Sequence, residues 1–69
     1  MNLPLNIQPI MDSAELAERL NVSPATLRYW RHRGDGPRWF KMGPRRVMYR
    51  VSDVQAWLDR QYDGALARP

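Results

Sequence analysis

The apolar positions fall first into two short stripes at helical spacing. Ala14, Leu16, Ala17 and Leu20 recur on one face of a helix. Asp12, with Glu15 three residues on, supplies an acidic N-cap and a reciprocal carboxylate, a variant of the capping box. Asn21 suits a left-handed C-cap, so the pattern predicts a helix over 13–20. After the turn Asn21-Val22-Ser23, Ser23 is a preferred N-cap and Pro24 sits at the first helical position, where a missing N–H costs nothing. The second helix is expected over 24–33, stopped by Gly34. Asp35-Gly36-Pro37 is a loop by its turn chemistry. Arg38–Met42 and Arg46–Arg50, rich in aromatic and β-branched residues, read as strands around the turn Gly43-Pro44-Arg45. Ser52 with Gln55 forms a capping box for a third helix that carries Val54, Trp57 and Leu58 on one face and ends at Gly64. The expected order is α–turn–α–β–β–α. It is a mainly helical fold with a small β-hairpin, a winged helix-turn-helix.

The second helix has a free face. At about 100° per residue, Leu27 and Trp30 share an apolar arc that Val22 extends into the turn. Ala25, Arg28, Tyr29 and His32 occupy the opposite arc, with Thr26 and Arg31 at the margins. Such a face suits a DNA groove. An arginine can donate in bidentate fashion to guanine, a phenol or imidazole can reach phosphates, and a small residue near the helix start allows close approach. Tyr29 also admits a half-buried core position, and His32 an ordinary surface one. The hairpin adds Arg38, Lys41, Arg45 and Arg46, a cationic wing that would track the sugar–phosphate backbone or enter the minor groove.

Charge sharpens this reading. The chain carries +4 overall, but residues 28–50 hold eight basic side chains against the single acidic Asp35, leaving the remainder net acidic. A basic block inside an aromatic-rich, structured segment points to a polyanion surface. With 69 residues there is room for one domain near the lower limit of independent folding, and without cysteine neither a disulfide nor a thiolate metal site can staple it. The staple is therefore expected among Tyr29, Trp30, Trp39, Phe40, Tyr49, Trp57 and Tyr62. By the same argument Trp39, Phe40 and Tyr49 are expected as packing rather than as stacking platforms for single strands. Residues 1–10, interrupted by Pro4 and Pro9, are expected to be an extended arm, 11–62 the DNA-binding domain and 63–69 a loose tail. No apolar run approaches the roughly 18 residues of a membrane span, and no signal peptide is expected.

The residues carry a resemblance. Val22-Ser23-Pro24-Ala25-Thr26-Leu27-Arg28-Tyr29-Trp30 resembles the recognition-helix signature of the MerR superfamily of winged helix-turn-helix proteins. The remainder is similar to its small branch, the phage excisionases (recombination directionality factors) and AlpA-like proteins. Glu15-Leu16-Ala17 and Leu20-Asn21-Val22 match in helix one, Gly36-Pro37 at the entry to the wing, and Gly43 at its turn. Tyr49-Arg50 follows, then Asp53-Val54 and Trp57-Leu58 in the closing helix. The resemblance spans about Met11 to Leu58. It implies Arg28 and Tyr29 at the DNA, Ser23, Ala25 and Thr26 near the helix start, and wing contacts around Lys41, Arg45 and Arg46. It also implies an architectural role: binding repeated sites beside a phage attachment site, bending DNA, and biasing an integrase towards excision. The effector domain and long dimerisation helix of larger MerR regulators have no counterpart here, so ligand sensing and coiled-coil dimerisation are not carried over.

The resulting expectation is a sequence-specific double-stranded DNA-binding factor in the cytoplasm of a bacterial host. It would use no cofactor, metal, membrane or small-molecule ligand. Its other partners would be a phage integrase and further copies of itself on adjacent sites. A small transcriptional regulator with the same binding mode is the alternative, and a protein-interaction module whose exposed aromatics dock a partner is a third class. Catalysis is not expected. A single histidine, no cysteine and acidic residues placed mainly at helix caps and exposed ends make no convergent set of titratable groups.

Overall fold

The computed structural model describes residues 7–66. In chain order the elements are β1 (Ile10–Asp12), α1 (Ser13–Leu20), α2 (Pro24–Arg33), β2 (Phe40–Met42), β3 (Arg46–Arg50) and α3 (Val51–Leu66). The fold is a winged helix-turn-helix, mainly helical, with a three-stranded antiparallel sheet in the order β1-β3-β2.

Local chemistry sets both helices of the helix-turn-helix. The Asp12 carboxylate accepts from the Glu15 amide at 2.8 Å, which caps α1. The reciprocal half of the expected box is not made. Glu15 instead accepts from the Arg19 guanidinium, one turn along, at 3.3 Å. At the other end Asn21 takes φ 58°, and the Val22 amide reaches back to the Ala17 carbonyl at 3.0 Å, a Schellman closure. Ser23 caps α2 by accepting from the Thr26 amide at 3.1 Å, with Pro24 at the first position. Gly34 ends α2 at φ 78°, and the Asp35 amide bonds the Trp30 carbonyl at 2.8 Å. Each of these bonds spans five residues or fewer, which is why both helix ranges follow from the sequence.

Four features of the element layout depart from expectation. The strand β1 lies where an arm was expected to run as far as residue 10. It is only three residues long and follows Pro9, so it has no alternation of its own to read. It exists because β3 pairs with it, Met11 opposite Tyr49. Residues 1–6 of the expected arm lie outside the described residues. The second departure is at α3, which begins at Val51 directly after β3, without the Ser52–Gln55 box. The Ser52 hydroxyl donates to Gln8 at 3.0 Å, and the Gln55 amide donates to Asp59 at 3.0 Å. The Val51 amide is satisfied by the Pro9 carbonyl at 3.0 Å, so continuation of the sheet ladder replaces a cap. Third, α3 runs through Gly64 to Leu66, so Gly64 does not end it and residues 63–66 of the expected tail are helical. Residues 67–69 lie outside the described residues. The first expected strand also begins later, at Phe40, which leaves Arg38 and Trp39 before it.

The core is aliphatic with one aromatic at its centre. Leu16, Leu27 and Tyr49 are each 1% exposed, and Met11, Ala17 and Val54 close around them. Trp30 and Trp57 cover one edge, half-buried, with ring centroids 5.3 Å apart. The expected aromatic staple therefore shrinks to Tyr49 and this tryptophan pair. Tyr29, Trp39, Phe40 and Tyr62 are exposed, so the packing argument against stacking platforms holds for Tyr49 alone. The Trp30 ring also explains Gly36. That residue has φ +79°, and a Cβ there would lie 3.0 Å from the Trp30 ring. Gly36→Ala should lower stability by about 1–2 kcal/mol from the backbone conformation alone, with the contact adding to it. A thermal melt indistinguishable from wild type would show that the loop does not hold this conformation.

Candidate nucleic-acid interface

The helix α2 and the wing face one another across a cleft, and the charged side chains that meet there are all basic. One part of it is lined by Ala25, Arg28 and Arg31 of α2, Ser13 and Ala14 at the start of α1, and Arg45 and Val47 of the wing. Its continuation is lined by Arg28, Arg31, His32, Trp39, Lys41 and Val47. Arg28, Arg31, Lys41 and Arg45 thus converge with His32 beside them, and no carboxylate lines either part. The first residues of α1 and α2 line this cleft, Ser13 and Ala14 of one and Pro24 and Ala25 of the other, and the positive end of a helix dipole favours an anion.

The outward arc of α2 stands as its spacing predicts. Leu27 is buried, Trp30 half-buried, and Ala25, Arg28, Tyr29 and His32 exposed. Tyr29 is 56% exposed, which removes the core alternative for it. Its hydroxyl accepts from Arg33 at 2.9 Å, and the Arg33 guanidinium carbon lies 5.5 Å from the ring centre. Arg33 also pairs with Asp35 at 3.3 Å, so the one acidic residue of the basic segment is spent on an arginine outside the cleft. Both partners are more than half exposed, and such a pair contributes at most about 1 kcal/mol. Ser23 and Thr26 are occupied locally. Their hydroxyls share a hydrogen bond at 2.9 Å in the cap of α2, and neither lines the cleft.

Pleat geometry divides the wing cations. The Gly43-Pro44-Arg45 turn, with Gly43 at φ 80°, closes the hairpin between the paired residues Met42 and Arg46. Side chains alternate along a strand, and directly opposed residues share a face. Lys41 opposes Val47 and lies on the face turned to α2, whereas Arg46 shares the other face with Met42, Met48 and Phe40. Arg38, before the strand, lines a separate hollow with Trp39, Phe40, Arg50 and Asp53. Of the four wing cations singled out by sequence, Lys41 and Arg45 meet α2, while Arg38 and Arg46 do not.

The structure adds Arg31, Ser13, Ala14 and Trp39, none of which was singled out as a site residue. Arg31 had a legible signal. It stands four residues after Leu27, so a guanidinium occupies the edge of the apolar arc. Ser13 and Ala14 had none, because only the tertiary fold brings the start of α1 to the wing.

A helix-turn-helix with a paired wing and a cationic cleft between them defines a nucleic-acid-binding class of fold. A family model described as a helix-turn-helix domain matches residues 10–62, and the chain belongs to that family. The family points to double-stranded DNA as the partner. No curated protein and no solved structure matched in the corresponding searches. Among the described residues no helix is long and apolar enough to cross a membrane.

Proposed function

We propose that this protein is an excisionase-like architectural factor that binds specific sites on duplex DNA and biases integrase-mediated recombination of a phage towards excision. The observation that carries DNA binding is the cleft itself, with four cations from a recognition helix and a wing and no acidic residue in its lining. The α2 face supplies base readout through Arg28 and backbone contacts through Tyr29 and His32. Lys41 and Arg45 hold the phosphates that flank the groove. Ser23, Ala25 and Thr26 act at the helix start, the first and last through the cap and Ala25 by admitting the backbone closely. The recombination role is supported by the resemblance to phage excisionases. The same reading makes the protein a non-enzymatic, cofactor-free component of a bacterial cytoplasm, acting beside an integrase and with further copies of itself on neighbouring sites.

Selection of bound fragments from the source genome, followed by footprinting at moderate salt, tests this. Phased direct repeats beside an integrase attachment site are expected. Isolated sites overlapping promoters would instead make the protein a transcriptional regulator with the same DNA face. Binding to a protein partner, insensitive to salt and with no DNA affinity at low salt, would make it an interaction module.

Arg45→Ala should weaken binding to all sequences alike and reduce the slope of log K against log salt by about one, the signature of one lost phosphate contact. An unchanged slope, measured between low and moderate salt, would place the tip of the wing away from the backbone.

A further inference from the structure

We infer that Arg31 is a phosphate-binding residue at the floor of the helix–wing cleft, locked in place by the Tyr49 and Ser13 hydroxyls; this rests on the reading that the cleft takes duplex DNA. Arg31 is half-buried, unlike the other cations of the cleft, which are exposed. Its Nη1 donates to Tyr49 Oη at 2.9 Å and to Ser13 Oγ at 3.2 Å. Tyr49 is 1% exposed at the centre of the core, and Ser13 opens α1, so one nitrogen ties α2 to β3 and α1 together. The guanidinium carbon lies 5.9 Å from the centre of the Trp39 ring, which covers it on the wing side.

A guanidinium has five N–H donors, and these two bonds use both of those on Nη1. The donors on Nε and Nη2 make no hydrogen bond to protein among the described residues, and neither ion pair found there includes Arg31. A half-buried cation held only by neutral hydroxyls, among Arg28, Lys41 and Arg45, has lost hydration and gained no counter-charge. An anion in the cleft supplies it. The geometry favours a phosphodiester, because Nε and Nη2 form the fork that grips two oxygens of one phosphate. Since Nη1 is anchored to the core, that fork is already oriented before DNA arrives, and little side-chain freedom remains to be lost on binding.

The test is a methylphosphonate scan. Each phosphate of a short duplex carrying the selected site is neutralised in turn, and affinities are measured for the wild type, Arg31→Met and Arg31→Lys, with thermal melts alongside. One phosphate is expected whose neutralisation costs the wild type about tenfold, as for a charge-assisted hydrogen-bonded pair. The same change should cost Arg31→Met nothing further. If Arg31→Met does not fold, Arg31→Lys decides, because it keeps charge and stem but presents a point charge in place of a fork. Its penalty at that phosphate should shrink to about twofold or less. A wild type that binds duplex while Arg31→Lys shows an identical set and size of phosphate penalties would overturn the proposal. Arg31 would then be a structural tie only, and DNA binding by the cleft would stand. A wild type that retains no duplex at low salt would remove both.

Discussion

Replacing Arg28 with alanine should weaken binding to the preferred site by roughly 5- to 150-fold, equivalent to about 1–3 kcal/mol, and relax base preference at one position. The position of the side chain is the reason. Arg28 is exposed on the outward arc of α2 and lines both parts of the cleft. It takes part in neither ion pair among the described residues, so its fork is available to a guanine edge. The fold should be untouched, since the residue packs nothing in the core. Arg33→Ala is the informative contrast. That guanidinium is already engaged by Tyr29 and Asp35, so its loss should cost far less. Binding and selection against a randomised site check both variants. If Arg28→Ala retains wild-type affinity and the wild-type preference, α2 does not read the bases.

Leu27→Ala should have the larger effect, because it acts on the fold and so on every function at once. Leu27 is 1% exposed and packs with Leu16, Ala17 and Tyr49 where the helix-turn-helix meets the sheet. Truncating a buried leucine costs about 2–5 kcal/mol through lost transfer energy and the cavity left behind. A single core in a domain of this size rarely supplies more than about 3–5 kcal/mol in total. The variant is therefore expected to lose most or all of its cooperative unfolding transition. Any residual midpoint should be lowered by upwards of about 10 °C, with DNA binding falling in step. Leu27→Met, which conserves volume, should remain folded at a cost below about 1.5 kcal/mol. Circular dichroism melts of the two variants are the check. A cooperative melt of Leu27→Ala close to wild type would mean that the core is not centred where Leu27 sits.

The two results separate what α2 does from what supports it. The helix has a buried side that anchors it and an exposed side that faces the wing, and Arg31 lies on the boundary between them. That boundary position lets one residue bond Tyr49 in the core and also line the cleft. The expectation that the aromatics would staple the domain holds only for Tyr49 and the Trp30–Trp57 pair. The central volume is filled by Leu16, Leu27 and Tyr49, and Trp39 and Phe40 remain on the surface of the wing. Trp39 is nevertheless used, as the wall beside Arg31.

By itself the sequence determined the ranges of α1 and α2, the outward arc of α2, the hairpin turn and the basic character of the face. These depend on short-range interactions: Asp12 and Ser23 capping amides three residues on, Asn21 and Gly34 accepting a left-handed backbone, and Gly43 turning the chain. Tertiary structure alone decided the rest. The strand β1 needs Arg50 opposite Ile10, and the uncapped start of α3 needs the carbonyl of Pro9. The Arg31 clamp joins groups 18 residues apart on either side, and the pairing of β2 with β3 sends Lys41 to the cleft and Arg46 away from it. Beyond the place of Arg31 at the edge of the apolar arc, none of these leaves a trace in local periodicity, because the partner that fixes each residue is supplied by a distant part of the chain.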